Sequence, residues 1–523
     1  MQKILVIRFG SLGDVILTSA AILNLKINFP DSRIVFLTKE RFRPVVSRID
    51  GVDEVVTLAE DASGPGYYSL LQELDRRNFD IVVDLHGNFR SWFARKILTA
   101  NNKVVYPKRR VERQLMVRRR DKRIPEVYPH TIDMYNRCVE QLGGTPYCRR
   151  PVLRFTPQAT ELQIAREDAV PTVVIAPGAA HPNKQWEIEK FAETARKLHA
   201  KTGCRILWAA ATESDLVEGL QESFPNETFV EVVGHPIDRL GALIAGARLT
   251  LANDSGLAHL SSAVGIPVIA VFGPTHPALG FAPRGQFDEV IEVDEFCRPC
   301  SLHGKVPCYR EERYCFTRVP AERVVEAAMP LLASEVNQHR ALFADRDGTI
   351  IEDKHYLSDP DQIEFVPGAP EALKRASEAR FKLVILSNQS GVARGLLTID
   401  DVERMNHRLL EMLSANGVEV DGVYYCPYYK DGSVAEYSIE SDLRKPWPGM
   451  PEIAARELGI DLRRSVVVGD KLDDLNLGRI IGADSYMVRT GHGAKEENGL
   501  SSEPDEQKKV FDSIVDVVKH VVR

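Results

Sequence analysis

Short apolar runs recur along the chain, each closed by a glycine or acidic turn and followed by an amphipathic stretch. Residues 3–7, 33–37 and 81–84 make a first series, and the character breaks near Pro151. A second series follows at 172–176, 205–209, 249–252 and 268–272. Strand-length runs alternating with helical periodicity predict parallel α/β sheets, here two Rossmann-like units in tandem. The stretch 335–340 is polar and lacks apolar periodicity, and a new strand-like run begins at 341–344. Further runs at 382–386 and 465–468 predict one more α/β domain in the last ~180 residues. The expected domains are 1–160, 161–335 and 342–523, with a linker at 336–341. No low-complexity tract or short-period repeat interrupts them.

Length supports this division, since 523 residues exceed what one core usually serves. With 44% hydrophobic and 27% charged residues the chain reads as a soluble globular enzyme, and a net charge of -7 gives no general reason to expect nucleic-acid binding. Any basic site has to be local. No apolar run approaches the ~18 residues that span a bilayer, and the opening run is cut short by Arg8. The sequence therefore predicts no membrane helix, no secretory signal and a cytoplasmic location.

The densest chemistry follows residue 344. Asp345-Arg346-Asp347-Gly348-Thr349 leaves an apolar strand, and a period of two puts Asp345 and Asp347 on one side. Such a pair can divide labour: one carboxylate attacks phosphorus, and the other protonates the leaving oxygen and later deprotonates water. A magnesium ion would offset the combined negative charge. An acidic pair alone is more often a solvated turn, but other pieces stand with it. Residues 382–386 deliver Ser387-Asn388-Gln389-Ser390-Gly391, suited to holding a phosphoryl oxygen. Arg444-Lys445-Pro446 supplies cations, and Gly469-Asp470-Lys471, followed by Asp473 and Asp474, supplies a further metal carboxylate.

This order of motifs over 341–493 resembles the haloacid dehalogenase superfamily, in the branch of heptose 1,7-bisphosphate 7-phosphatases and histidinol phosphatases. The resemblance implies Asp345 as nucleophile, Asp347 as general acid and base, and Ser387 and Lys445 as phosphate ligands. It further implies Asp345, Asp347 and Asp470 at magnesium, Arg444 at the substrate, and Asn388 and Lys471 as supports. One departure stands out. Relatives carry a zinc loop of the form CPxH with a later CxC, whereas this chain has Cys426-Pro427-Tyr428 and Ser441-Asp442-Leu443. One thiol makes no tetrahedral zinc site, so no zinc is expected, and Tyr424, Tyr425, Tyr428 and Tyr429 are expected to pack the loop.

In the first series, Arg8-Phe9-Gly10-Ser11-Leu12-Gly13-Asp14 follows the first strand and opens a helix. It lacks the third glycine of a dinucleotide fingerprint, so nicotinamide binding is not expected. Asp14 either caps that helix or faces a cleft as a base. In the second series, Ala176-Pro177-Gly178-Ala179 leads to Lys184-Gln185-Trp186, and Asn253-Asp254-Ser255-Gly256-Leu257-Ala258-His259 opens a helix. Small residues and backbone amides there, with a lysine within reach, suit a diphosphate.

With Gly265-Ile266-Pro267, Phe272-Gly273-Pro274-Thr275 and Asp84-Leu85-His86-Gly87-Asn88, these closely resemble the family 9 glycosyltransferases, the ADP-heptose:lipopolysaccharide heptosyltransferases. The resemblance covers most of 1–330 and implies a GT-B fold of two facing Rossmann-like domains, so the whole chain would be α/β: GT-B followed by a Rossmannoid haloacid dehalogenase-type domain. It implies Asp14 as the base on the acceptor hydroxyl and Lys184 on donor phosphate. Asp254, Ser255, Gly256, Leu257 and His259 would hold the nucleotide sugar, in inverting transfer that needs no metal.

Two features remain open. Nine basic residues between Lys108 and Arg123 stand against Glu112 and Asp121, either as a solvated face or as a contact for a lipopolysaccharide core or anionic lipid at the inner membrane. Cys297, Cys300, Cys308 and Cys315 either bind zinc or iron or are reduced structural thiols. The expected function is thus bifunctional: hydrolysis of a heptose bisphosphate and transfer from a nucleotide-activated heptose. The alternatives are a phosphatase for histidinol phosphate or another small ester, and a transferase-like half that only binds glycan.

Overall fold

A computed structural model describes residues 1–62, 64–118, 124–125, 128–155, 170–210, 229–333, 337–500 and 507–522. The chain forms two compact units, Met1–Ala333 and Ser334–Arg523.

The first unit holds two parallel sheets. One is built from β1 (Lys3–Ile7), β2 (Arg33–Lys39), β3 (Glu54–Leu58), β4 (Ile81–Asp84) and β5 (Asn102–Val105), in the order β3-β2-β1-β4-β5. The other comprises β6 (Thr172–Ala176), β7 (Arg205–Ala210), β8 (Val230–Gly234), β9 (Leu249–Asn253), β10 (Val268–Val271) and β11 (Glu289–Ile291), in the order β11-β10-β9-β6-β7-β8. The second unit has β12 (Arg340–Ala344), β13 (Phe381–Asn388), β14 (Gly422–Cys426), β15 (Val466–Gly469), β16 (Asp484–Val488) and β17 (Val510–Phe511), in the order β14-β13-β12-β15-β16-β17.

The central strands are apolar without alternation because helices cover both faces of a parallel sheet. Ile4, Leu5, Val6 and Ile7 are all fully buried, as are Leu249 and Leu251; each such side chain contributes about 1.5–3 kcal/mol. Peripheral strands are less legible. β5 opens on exposed Asn102 and Lys103, and its apolar residues are only half-buried.

In all three sheets the first strand of the sheet lies beside its fourth. Loops leaving those two strands diverge to opposite faces and open a crevice at their carboxyl ends. The three crevices therefore lie at β1/β4, β6/β9 and β12/β15, and the catalytic motifs of the sequence follow these strands or a neighbour, except Arg444-Lys445-Pro446, which comes after the edge strand β14.

The expected boundary at 160/161 lies outside the described residues, as does residue 336 of the expected linker. That linker is too long by two residues, because Arg340 and Ala341 are already in β12. A basic residue can start this strand because its guanidinium stacks on Phe381, 4.0 Å from the ring centre, and donates to the Ala379 carbonyl at 2.7 Å.

The two halves of the first unit meet closely. A Cβ on Gly13 would lie 2.5 Å from His259, and one on Gly256 would lie 2.8 Å from Leu12, so the helices Leu12–Leu17 and Gly256–Ala263 approach through reciprocal glycines. A second tie joins the helix Thr131–Gln141 to the segment 280–284. The Thr131 amide donates to the Gly280 carbonyl at 2.9 Å, and Arg284 pairs with Asp133 at 2.6 Å. His130 caps that helix: its Nδ1 accepts from the Ile132 amide at 3.1 Å, which leaves Nε2–H to donate to the Ala282 carbonyl at 2.9 Å.

Burial, with Arg284 nearby, depresses the His130 imidazole to about 3. It stays neutral when folded but protonates near 6.5 once unfolded. Its stabilisation is therefore complete above pH ~6.5 and is lost as pH falls from there toward 3. Between pH 7 and 5 the wild type is expected to lose about 2 kcal/mol more than His130→Asn. Urea unfolding at the two pH values measures the difference, and equal losses would show that this histidine is not the linked group.

Candidate active sites

In the carboxy-terminal unit, the Asp345 amide donates to the Val468 carbonyl at 2.9 Å and so locks the ends of β12 and β15 together. The next loop turns at Gly348, whose φ of +79° and closeness to Asp470 exclude a side chain: a Cβ there would lie 2.3 Å from the Asp470 carboxylate. Donor oxygens of Asp345, Asp470 and Asp474 lie within 4.8 Å of one another, and all three residues are buried. Lys445 stands against two of them, 3.0 Å from Asp345 and 2.6 Å from Asp474. Burial alone would lower its pKa, but the two carboxylates hold it raised.

Burial and the Asp345 charge push Asp470 up to about 7, and burial pushes Asp474 up to about 6, partly countered by Lys445. Such crowding of carboxylates is relieved by a divalent cation. Asp470 Oδ1 is buried without a hydrogen-bond partner, and the neighbouring donors are all oxygens, so these residues fit magnesium.

The Asp347 carboxylate is not part of that cluster. Burial would raise its pKa, but Arg346, at 3.1 Å, and Gln389, donating at 2.9 Å, hold it low. Ser387 lies beside it, accepting from Gln389 Nε2 at 2.7 Å. Asn388 clamps the neighbouring loop: its side chain accepts from the Lys445 amide at 2.9 Å and donates to the Lys445 carbonyl at 3.1 Å. The Lys471 amide donates to Asp474 at 3.2 Å, and Asp345 and Asp470 raise its ammonium pKa against the effect of burial. Arg444 stands apart, half-buried, with its guanidinium 4.8 Å from the Tyr429 ring centre.

The Cys426 thiol is buried and donates to the Tyr428 carbonyl at 3.7 Å. Among the described residues it joins no group of three potential metal ligands. The loop packs differently from the expected tyrosine cluster. Tyr424 and Tyr425 lie in β14 and donate to Glu457 and Glu403, while Tyr428 packs on Tyr437 and Tyr429 on Arg394 and Arg444.

In the amino-terminal unit a cavity of about 400 Å³ lies between the two sheets' crevices. Asp14, Lys184, Asp254, Ser255, Gly256, Leu257 and His259 all line it. Asp14 combines both readings made from sequence. It accepts from the Ser11 amide at 3.2 Å and hydroxyl at 2.9 Å in a capping box, and it lines the cavity. Burial would raise its pKa, but Arg8, at 2.5 Å, and Ser11 hold it lowered.

Asp254 is turned toward protein: Lys184 pairs with it at 2.6 Å and Thr275 donates to it at 2.7 Å. Ser255 Oγ and His259 Nδ1 are buried with no hydrogen-bond partner in the protein, which leaves them for a ligand.

The family model of glycosyltransferase family 9 (heptosyltransferase) matches residues 67–306, and a HAD-hydrolase-like model matches 442–517. A solved family 9 glycosyl transferase from Veillonella parvula superposes with a TM-score of 0.52 at 23% identity, covering 64% of this chain and 97% of that one. The likeness is one of fold. The D-glycero-beta-D-manno-heptose-1,7-bisphosphate 7-phosphatase of Yersinia pestis is 38% identical over 183 residues, 35% of this chain and 94% of that protein. Its counterpart in Escherichia coli K12 is 40% identical over 152 residues, 29% of this chain and 80% of that protein. The chain belongs, through its second unit, to the family of these heptose-bisphosphate phosphatases, and its first unit carries the match to the glycosyltransferase family 9 model, so the two are fused in one chain. It is an enzyme with a glycosyltransferase unit of GT-B fold and a haloacid dehalogenase-type phosphatase unit.

Within the transferase unit, the basic run is neither simply a solvated face nor wholly available to an acceptor. Arg113 is buried, donates to Thr131 at 3.0 Å and stacks on Phe281, while Lys108 donates to the His86 carbonyl at 3.2 Å. Arg119, Arg120, Lys122 and Arg123 lie outside the described residues. No described helix is long and apolar enough to cross a membrane. Cys297, Cys300, Cys308 and Cys315 line one small cavity, but no three of their sulfurs come within 4.8 Å of one another.

Sequence reasoning missed several residues that shape the two sites. Asn253 was quoted without a role, yet its side chain accepts from the Trp186 amide and donates to the Pro177 carbonyl, fixing both loops around the transferase cavity. Asp474 and Gln389 stood within motifs read as metal- and phosphate-binding, but their pairing with Lys445 and with Asp347 was not foreseen. A buried carboxamide or carboxylate at a strand end was the available signal, but its partners lie far away in sequence.

Proposed function

We propose that the chain is a bifunctional enzyme of heptose metabolism in surface-polysaccharide synthesis. The phosphatase unit would hydrolyse the 7-phosphate of D-glycero-D-manno-heptose 1,7-bisphosphate, and the transferase unit would pass a heptose from a nucleotide donor to a lipopolysaccharide-type acceptor. The observation that carries the phosphatase reading is the buried set of Asp345, Lys445 and Asp470 at the β12/β15 crevice. The similarity to named phosphatases supports the substrate.

In this reading an Asp345 oxygen attacks phosphorus, the bond from phosphorus to the sugar oxygen breaks, and Asp347 gives that oxygen a proton. Asp347 then takes a proton from water, which displaces Asp345 and releases phosphate. Arg346 holds Asp347 ionised before substrate arrives, and the negative charge of a bound phosphate pushes its pKa back up. Lys445 faces the charge that develops on phosphorus, while Ser387 offers a hydroxyl to a phosphoryl oxygen. Asp345 and Asp470 would hold magnesium, which when bound offsets the charge of carboxylate and phosphate.

In the transferase, Asp14 would take the proton of the acceptor hydroxyl, whose oxygen attacks the anomeric carbon as the bond to diphosphate breaks with inversion. Arg8 keeps Asp14 ionised at some cost in basicity. Asp254 orients Lys184 toward the cavity that would hold the departing diphosphate, and Ser255 and His259 supply unsatisfied polar atoms there.

Phosphate release from both anomers of heptose 1,7-bisphosphate and from histidinol phosphate, with magnesium, tests the substrate. At least about tenfold higher kcat/KM for the heptose ester is expected. Preference for histidinol phosphate would overturn the pathway and leave the two activities unrelated. Donor turnover with a lipopolysaccharide-core acceptor tests the other half, and glycan binding without transfer would make it a binding module.

A further inference from the structure

A second group of metal-type ligands lies in the phosphatase unit, made of other side chains than the three-carboxylate cluster. Asp353, His355 and His492 each present one donor atom, all within 4.8 Å of one another. His492 Nε2 is 2.8 Å from Asp353 Oδ2, and His355 Nδ1 is 3.8 Å from Asp353 Oδ1. Donors bound at ~2.1 Å around one ion stand about 3.0–3.4 Å apart, so small side-chain rotations close this set.

The backbone brings the three together from distant parts of the chain. After the Asp345–Thr349 turn, His355 and Tyr356 both adopt left-handed conformations, with φ of 51° and 54°. This bend lets the His355 amide donate to Asp353 Oδ1 at 2.9 Å and turns its imidazole back toward the same carboxylate. His492 comes from the loop after β16, where its amide donates to Asp470 Oδ2 at 2.7 Å. In that loop Thr490 donates to the Gly348 carbonyl at 2.6 Å. The group therefore joins two loops that both border the phosphatase site.

We propose that Asp353, His355 and His492 form a site for a borderline divalent transition-metal ion, separate from the magnesium site. Two imidazoles and one carboxylate suit zinc or cobalt(II) and leave coordination positions open, whereas magnesium and calcium prefer all-oxygen sets. The Asp353 side chain is only 14% exposed, so the anchoring carboxylate is preplaced, while His355 at 76% is free to swing onto an arriving ion. The bound ion would cross-link the 353–356 and 489–493 loops beside the phosphatase site.

The test is cobalt(II) titration of the full chain in saturating magnesium, read by visible absorbance and by equilibrium dialysis. It needs no substrate, so it stands or falls apart from the proposed reaction. The wild type is expected to bind one equivalent that is weakened at least tenfold in both His355→Ala and His492→Gln and retained in Asp345→Asn. That equivalent should show no thiolate-to-cobalt charge-transfer band. Unchanged binding in both histidine variants, or loss of the equivalent in Asp345→Asn alone, would overturn the proposal. Since His355 is exposed, thermal unfolding of His355→Ala should match the wild type, separating loss of the ligand from loss of the fold.

Discussion

Asp345→Asn is expected to lower phosphate release by about 10⁴-fold or more while leaving glycosyl transfer intact. The substitution keeps the shape of the side chain and its place against the Arg346 amide, 2.8 Å away, but removes the oxygen nucleophile and one negative charge. Two further changes accompany it. Lys445 loses one of its two partners and keeps Asp474, and Asp470 loses the neighbouring charge that helps to raise its pKa. The fold should survive, because a buried lysine with one remaining carboxylate is still paired. Phosphate release and transfer measured on the same preparation decide the matter. Residual hydrolysis above one-hundredth of wild type would remove Asp345 from the nucleophile's role.

Asp14→Asn is expected to lower the rate of transfer by about 10²- to 10⁴-fold, the range for losing a positioned general base, with donor binding changed little. Asparagine can still accept from Ser11 and cap the helix Leu12–Leu17, so the local backbone should hold. What it cannot do is accept a proton or balance Arg8, which is 5% exposed. An unbalanced buried cation costs several kcal/mol, so the transferase unit should also unfold at lower temperature. Transfer is therefore to be compared well below that transition, with kcat and donor KM separated. A kcat within tenfold of wild type would place the base elsewhere, and a change confined to KM would make Asp14 a binding residue.

The two sites differ in how their charge is arranged, and this bears on both predictions. In the phosphatase, buried carboxylates outnumber the cations beside them: Lys445 pairs with Asp345 and Asp474, Lys471 is the other cation acting on the set, and Asp470 and Asp474 have raised pKa values. Such a set accepts a further cation. In the transferase, Asp14 and Asp254 each have a cation of their own, Arg8 and Lys184, and no third carboxylate joins them among the described residues.

Sequence by itself determined the fold class and the location of the chemistry. Runs such as 3–7, 81–84 and 172–176 are strands over those same residues, because a strand covered on both faces has to be apolar throughout and is bounded by the turns that follow it. Most motif residues were legible for a related reason: they lie within a few positions of a strand end, where local spacing is enough to find them, whereas Arg444 and Lys445 stand well beyond the end of β14 at Cys426.

Only the tertiary structure decided the partnerships. Nothing near Lys445 in sequence announces that it bridges Asp345 and Asp474, or that Asn388 clamps its backbone. The reciprocal contacts of Gly13 with His259 and Gly256 with Leu12, and the His130 tie to Ala282, join positions more than 100 residues apart. Asp353, His355 and His492 form no spacing pattern, because one ligand comes from a loop that returns only after most of the third sheet is built. A single sequence records periodicity and local order, while contacts between loops at a crevice depend on strand order, which periodicity does not encode.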